Sequence, residues 1–317
     1  MEYDLTYLSL GGGVQSSALL AMGVLGKFNV PKADVAIFAD TQGEIGATYA
    51  WLQKLKAWAE ERGQKVAFTT AGSLEEAVIE GRGASKSHVS IPAFIKTKVM
   101  VACACVPVTE VEIEDEPGEM EFSYGPADPS CVACRGTGEV FDGYGKGIQR
   151  RQCTYDYKIM AVEKEVRRQL GLPKGGRAKG VHKVRAMLGI SYDEIIRMKP
   201  SRVEWIDNTY PLIDAKLTRE DCKKFLAETF GEVAPRSSCY YCPHHSDSYW
   251  RWLRDQHPAD FAKAIEMDKK IRKCQPGLIG EAYLHSQLVP LSEVVWKGDD
   301  QKKLDGFGAE CEGVCGV

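Results

Sequence analysis

The stretch LTYLSLGGGVQSSALL, residues 5–20, decides the fold. A short apolar run from Leu5 to Leu10 ends in Gly11-Gly12-Gly13, and from Ser16 onward the apolar residues take helical spacing. This order describes a strand, a glycine turn and a helix. Glycines let a backbone come close to phosphate, and a helix N-terminus adds free N–H groups and the positive end of a dipole. The loop has no Gly-Lys-Ser/Thr, so it is not a Walker A loop, and it is not a GxGxxG fingerprint. A turn that only packs a helix on a strand would use the same glycines.

The alternation continues outward from this unit. Val35 to Ala39 and Val66 to Thr70 have buried-strand composition, while Ala47 to Glu61 and Ser73 to Glu80 are helical. Strands alternating with helices predict a parallel sheet with right-handed crossovers. The expected fold is α/β, a doubly wound parallel sheet with a small Cys-rich insertion and a helical C-terminal part. Residues 1–96 form its nucleotide-binding half. The rhythm breaks over residues 97–147, which are rich in Gly, Pro and acid; from Glu110 to Glu121 there are seven acidic residues and no basic one. Residues 148–235 read as the remainder of the α/β domain. They hold a helix from Asp156 to Leu170, a strand from Lys183 to Ile190, a helix from Ser191 to Met198 and another opening at Thr218, with Asp221 in its first turn. Residues 236–317 form a helical region with a break at Pro258, followed by the tail DGFGAECEGVCGV.

The 317 residues are 44% hydrophobic and 27% charged, which excludes bulk disorder. A net charge of −3 excludes a uniformly basic nucleic-acid coat and leaves room for a local patch. Lys146 to Arg185 supplies one, with twelve Lys or Arg against three acids. It would suit nucleotide phosphate or sulfate, or a tRNA or DNA backbone; a solvated helix face would look the same. No apolar run is long enough to span a bilayer, and the N-terminus lacks a signal-type pattern, so a cytoplasmic protein without a membrane partner is expected.

Eleven cysteines are the anomaly. Cytosolic thiols stay reduced, so clustered cysteines there read first as metal ligands or nucleophiles. Cys239-Tyr-Tyr-Cys242 is a CxxC, whose turn brings both sulfurs to one side. Cys103-Ala-Cys105 and Cys131-Val-Ala-Cys134-Arg-Gly-Thr-Gly138 supply four more sulfurs in the insertion. The second of these segments resembles the knuckle of DnaJ-type zinc fingers, which implies structural zinc on Cys103, Cys105, Cys131 and Cys134. An iron–sulfur cluster or a surface redox pair is the alternative. His244 and His245 follow the CxxC and read as a proton shuttle, an extra ligand or ordinary hydrogen-bonding residues.

The glycine loop, together with AIFADTQGE (36–44), RQCTYDYKI (151–159), YPLIDAKLTREDC (210–222) and SSCYYCPHHSDSYWRWLRDQHP (237–258), resembles the phosphoadenosine phosphosulfate reductase-like family of the PP-loop, or adenine nucleotide alpha hydrolase, superfamily. The likeness covers nearly the whole chain apart from the acidic insertion. It implies an adenine nucleotide held by Gly11, Gly12, Gly13, Gln15, Ser16 and Ser17 at phosphate, and by Ala39, Asp40 and Thr41 at adenosine. Arg151 and Lys158 would face its sulfate or phosphate oxygens. Gln15 stands where the ATP-cleaving loops carry Asp, which favours a pre-made adenylyl sulfate or phosphoadenylyl sulfate over ATP. Cys153, Cys239 and Cys242, with Cys222 as our choice of fourth ligand, would suit zinc or a 4Fe–4S cluster, and the same likeness points to the 4Fe–4S cluster. Glu310-Cys311, with Cys315 competing, matches the mobile C-terminal cysteine that attacks the sulfate sulfur in such reductases. A thiol reductant such as thioredoxin, or a sulfur donor, would be the partner. Two other functions stay open: an ATP pyrophosphatase that adenylates a nucleic-acid group for sulfur transfer, and a non-catalytic nucleotide- or redox-binding module.

Overall fold

The computed structural model describes residues 2–81, 91–112, 120–273 and 278–296. Cys274, Cys311 and Cys315 lie outside the described residues. The first half builds β1 (Leu5–Ser9), α1 (Val14–Leu25), β2 (Val35–Asp40), α2 (Gly46–Glu60), β3 (Val66–Thr70) and α3 (Leu74–Glu80). After the insertion come a π-helical turn (Tyr155–Ile159), α4 (Met160–Gln169), β8 (Val184–Leu188), a 3₁₀ turn (Tyr192–Arg197) and β9 (Ile206–Thr209). These strands form one five-stranded sheet in the order β3-β2-β1-β8-β9. Every pairing is parallel. The order reverses direction at β1, the position where open α/β sheets leave a crevice for a ligand.

Strand alternation sorts the sheet's two faces. Leu8, Leu10, Phe38 and Met187 pack under α1, α2 and a later helix, α6 (Arg219–Phe230). Leu5, Tyr7, Val35, Ile37 and Ala186 face α4 through Val166. The helix α6 begins as its sequence predicts, with Thr218 and Asp221 exchanging hydrogen bonds in a capping box. It follows the short α5 (Pro211–Asp214). The helices α7 (Asp247–Gln256) and α8 (Pro258–Ile271) are parted at Pro258, where the missing N–H fits a helix start. They bury Trp250, Tyr249 and Met267 in a second core with Tyr241 and Leu284.

Two expectations change. Ser191 to Met198 is not an α-helix: the 3₁₀ turn holds Glu194 at φ −115°, ψ 22°, outside helical geometry. The insertion is more regular than its composition suggests. Its arms are the long antiparallel pair β4 (Phe94–Ala102) and β7 (Glu139–Ile148), with the hairpin β5 (Val108–Glu112) and β6 (Met120–Tyr124) between them. The boundaries at 97 and 147 therefore fall inside paired strands. A short strand, β10 (Glu281–Tyr283), pairs with β4 and joins the arm's base to the second core.

The glycine turn depends on close backbone approach. Gly12 sits at φ +78°, the left-handed region that favours glycine, and Gly189 at the end of β8 lies against the first turn of α1. A Cβ on Gly189 would stand 2.8 Å from the Ser16 backbone nitrogen, an atom with no freedom to move aside. Gly189→Ala is expected to cost about 1–3 kcal/mol, read as a lower urea midpoint, whereas an unchanged midpoint would show that the turn yields.

Candidate functional site

Gly13 caps α1 without a side chain, so the first amides of α1 are free of side-chain capping. Within the loop, the Gly11 N–H donates to Ser16 Oγ at 3.1 Å, and Ser16 Oγ donates to the Gly13 carbonyl at 3.3 Å. These bonds fix the loop's curvature. Beside it lies a cavity of about 370 Å³, within the range of small-molecule sites. Ser9, Leu10 and Gly11 line it from the end of β1, and Ala39 from the end of β2. Tyr155, Lys158 and Glu163 close one side, and residues 200–203 with Asn208 the other. A π turn is a wider turn than an α turn and is frequent at functional sites. Here it carries Tyr155, Lys158 and Ile159 into the cavity wall.

Lys158 also lines a second, smaller cavity of about 30 Å³ with Thr41, Arg151, Cys153, Tyr241, Cys239 and Cys242. Its ammonium lies 3.7 Å from Glu44 Oε1, and both side chains are largely buried. Burial pushes the Glu44 carboxyl above its usual range, against the pull of Lys158 and the Ser237 hydroxyl. Ser237 Oγ stands within hydrogen-bond reach of both Glu44 Oε2, at 3.2 Å, and the Gly11 carbonyl, its one proton serving either, which ties this carboxyl group to the glycine loop. Thr41 Oγ1 and Cys239 Sγ are 3.2 Å apart, and Tyr240 N–H donates to the Gly43 carbonyl. Burial, then the Glu44 charge, pushes the Cys239 thiol well up, so it rests protonated. Among the described residues, the Tyr241 hydroxyl has no hydrogen-bond partner, though it is buried beside these groups.

The structure thus brings Gly11, Ala39 and Lys158 to one cavity, and Thr41, Arg151, Cys153, Cys239 and Cys242 to its neighbour. Other expected residues serve elsewhere. Gln15 is buried, and its amide donates to Ser191 Oγ at 3.5 Å and Glu194 Oε2 at 3.3 Å, which turns it away from the cavity. Ser17 Oγ accepts from Trp51 Nε1 at 2.9 Å inside the core. Asp40 accepts from Tyr49 Oη and the Gln42 N–H, both at 2.7 Å, so it braces the turn after β2.

Cys222 corrects the proposed ligand set. It is fully buried on α6 in the core beneath α1, with Leu212, Leu217 and Leu226, whereas Cys153 and Cys239 pack against the second core. Burial pushes its thiol up to about 12, the behaviour of a small apolar side chain rather than a ligand. A four-thiolate cluster on Cys153, Cys222, Cys239 and Cys242 does not fit this arrangement.

The insertion does form a metal-competent site. The Sγ atoms of Cys103, Cys105, Cys131 and Cys134 all lie within 4.8 Å of one another, so together they could hold a metal ion. Gly136 and Gly138, at φ +80° and +81°, bend the chain beneath them. Burial raises the Cys134 thiol, but the Gly138 and Gly136 N–H groups and the Cys105 thiol more than offset it, bringing it down to about 7.

Sequence reasoning missed Ser237, Tyr241 and the loop at residues 200–203. Ser237 and Tyr241 both fall in the quoted stretch from Ser237 to Pro258, Tyr241 inside the CxxC itself, whereas residues 200–203 lie in no motif. Compared with known proteins, the chain matches no family model and no curated protein.

Elemental analysis of the purified protein is expected to give one thiophilic metal ion per chain, lost in Cys131→Ser and Cys134→Ser; metal retained in both variants would contradict the site. A second expectation concerns His245, whose Nε2–H donates to the Cys239 carbonyl at 2.8 Å and whose ring stacks on Tyr249. Burial pulls its pKa from 6.5 to about 3. Between those values the unfolded chain holds the extra proton, so stability falls as pH drops below 6.5, by up to about 1.4 kcal/mol per pH unit. Urea midpoints at pH 7 and 5 should converge in His245→Gln relative to the parent protein; an equal pH dependence in both would exclude His245 as the cause.

Proposed function

We propose that the protein is a phosphoadenosine phosphosulfate reductase-like enzyme of the PP-loop type that performs thiol-dependent sulfur chemistry on an adenine nucleotide. One observation carries this reading: Lys158 stands in the wall of both the strand-end cavity and the pocket of Cys153, Cys239 and Cys242. A nucleoside in the larger cavity would lie against Ala39 and Tyr7, with its phosphate at the Gly11 end and its reacting end at Lys158. The ammonium would neutralise phosphate or sulfate oxygens, and Glu44 would hold that ammonium in place.

The tail cysteines enter from the sequence likeness alone. On this proposal, the thiolate of Cys311 or Cys315 attacks the sulfate sulfur. A sulfur–sulfur bond forms, the sulfur–oxygen bond to phosphate breaks, and the nucleotide leaves with that oxygen. A second thiol, from a reductant such as thioredoxin, then attacks the enzyme sulfur, releases sulfite and leaves a disulfide.

The four-cysteine site is best read as zinc. Sulfurs at about 2.3 Å from one tetrahedral ion stand about 3.8 Å apart, and the pairs Cys103–Cys131 and Cys105–Cys134 are at 3.7 and 3.5 Å. An iron–sulfur cube would spread its ligands wider. The ion would staple an arm that has few apolar residues of its own.

A second reading, nucleic-acid-dependent release of AMP and pyrophosphate from ATP, is favoured by the exposed Arg151 at the cysteine pocket and the exposed Arg150 beside it in the chain.

Incubation with adenylyl sulfate, or its 3′-phosphorylated form, plus thioredoxin is expected to yield sulfite. Lys158→Ala should lower kcat/KM about 100-fold, and the double variant Cys311→Ser, Cys315→Ser should abolish turnover. No sulfite from either nucleotide, or full activity in the double variant, would overturn the proposal.

A further inference from the structure

The β4–β7 arm has two unlike faces. Toward the body, Ile95 is buried in the second core, and Thr97 Oγ1 donates to the Ile279 carbonyl at 3.3 Å. The β7 residues on this side are Gly145 and Gly147, where an added Cβ would stand 3.3 Å from Val99 and 3.7 Å from Ile95. The opposite face carries Ile148, Lys146 and Tyr144 and, past a β-bulge, Phe141. Lys96 pairs with Lys146, Lys98 with Tyr144, and Met100 with Phe141 across the ladder. Ring and cation contacts place these side chains together. Phe141 and Tyr144 meet edge to face at 5.0 Å, Lys96 Nζ lies 4.4 Å from the Tyr144 ring, and Lys146 Nζ lies 5.0 Å from Phe94. Tyr144 and Phe141 are 56% and 52% exposed, so the fold gains little from them.

The strand β7 also leads along the chain to the candidate site. The chain leaves β7 at Ile148 and passes through Gln149, Arg150 and Arg151 to Cys153. Both arginines are exposed, and Arg151 lines the cysteine pocket. Two exposed aromatic rings bordered by lysines, with Glu281 across the ladder from Lys96, thus lie on a strand that leads to the arginine lining that pocket.

We propose that this face binds a single-stranded nucleic acid, with bases stacked on Tyr144 and Phe141. Lys96, Lys98, Lys146, Arg150 and Arg151 would take its phosphates. Aromatic platforms flanked by cations hold single strands with little sequence preference, because every base offers a π face. A duplex hides those faces. A second copy of this chain is disfavoured as the occupant, because two such faces would set lysine against lysine. The inference does not rest on the nucleotide chemistry proposed above.

Fluorescence anisotropy with labelled 20-nucleotide dT and U oligomers, and with a duplex of equal length, tests it on the full chain. Micromolar binding of a single strand is expected, at least tenfold tighter than the duplex, with dT against U identifying the sugar preferred. For three to five phosphate contacts, log Kobs should fall against log salt with a slope of about −2 to −3.5. Tyr144→Ala with Phe141→Ala should weaken binding about tenfold or more, and Lys96→Gln with Lys98→Gln should reduce the salt slope. Lys98, Phe141 and Tyr144 are exposed and Lys96 half-buried, so the fold should stay intact, which circular dichroism and metal content would check. Binding unchanged in both variants, equal affinity for duplex, or a dimer whose dissociation exposes Tyr144 would each overturn the proposal.

Discussion

The backbone bond from Tyr240 N–H to the Gly43 carbonyl is the centre of a clasp between the end of β2 and the segment leading into the CxxC turn. Around it, Thr41 meets Cys239, Ser237 reaches both Glu44 and the Gly11 carbonyl, and Glu44 pairs with Lys158. The clasp leaves no room for a side chain at Gly43, where a Cβ would stand 2.8 Å from the Tyr241 ring. It unites segments nearly two hundred residues apart in the chain. Without it, the glycine loop would lie at the edge of a sheet with no cationic or sulfur chemistry beside it.

The same clasp separates the cysteines by role. Cys239 and Cys242 follow it to one small pocket with Cys153 beside the second core, whereas Cys222 is buried in the first core. Desolvation favours a neutral thiol at Cys239 and at Cys222 alike. The two differ in their neighbours: Cys239 has a carboxylate, an ammonium and a hydroxyl within reach, and Cys222 lies among leucines. Cys103, Cys105, Cys131 and Cys134 form a third environment, where glycine N–H groups point at sulfur and the thiol of Cys134 is held near 7.

Local signals in the sequence were enough for the first three βα units, the capping box at Thr218 and the break at Pro258. In each, the spacing of apolar residues or a single Pro or Thr acts within one turn of itself. The four cysteines of the arm were legible as a set because two short motifs bring their sulfurs together. Cys222 was not legible, because its motif-like setting says nothing of which sheet face α6 covers. The long strands β4 and β7 escaped notice because glycines on one face of β7 dilute its hydrophobic signal. Their alternation, Gly143-Tyr144-Gly145-Lys146-Gly147-Ile148, is nonetheless a period-two pattern. The cavity's far wall at residues 200–203 carries no motif and is placed only by the pairing of β8 with β9.

A crystal structure of the protein with an adenine nucleotide bound tests the central claim most directly. The base and ribose are expected in the cavity lined by Tyr7, Ala39 and Asn208. The phosphate should rest on the Gly11 to Ser16 loop, with Lys158 contacting the group beyond it. A nucleotide bound elsewhere on the chain, or bound with its phosphate away from Lys158 and the cysteine pocket, would contradict it.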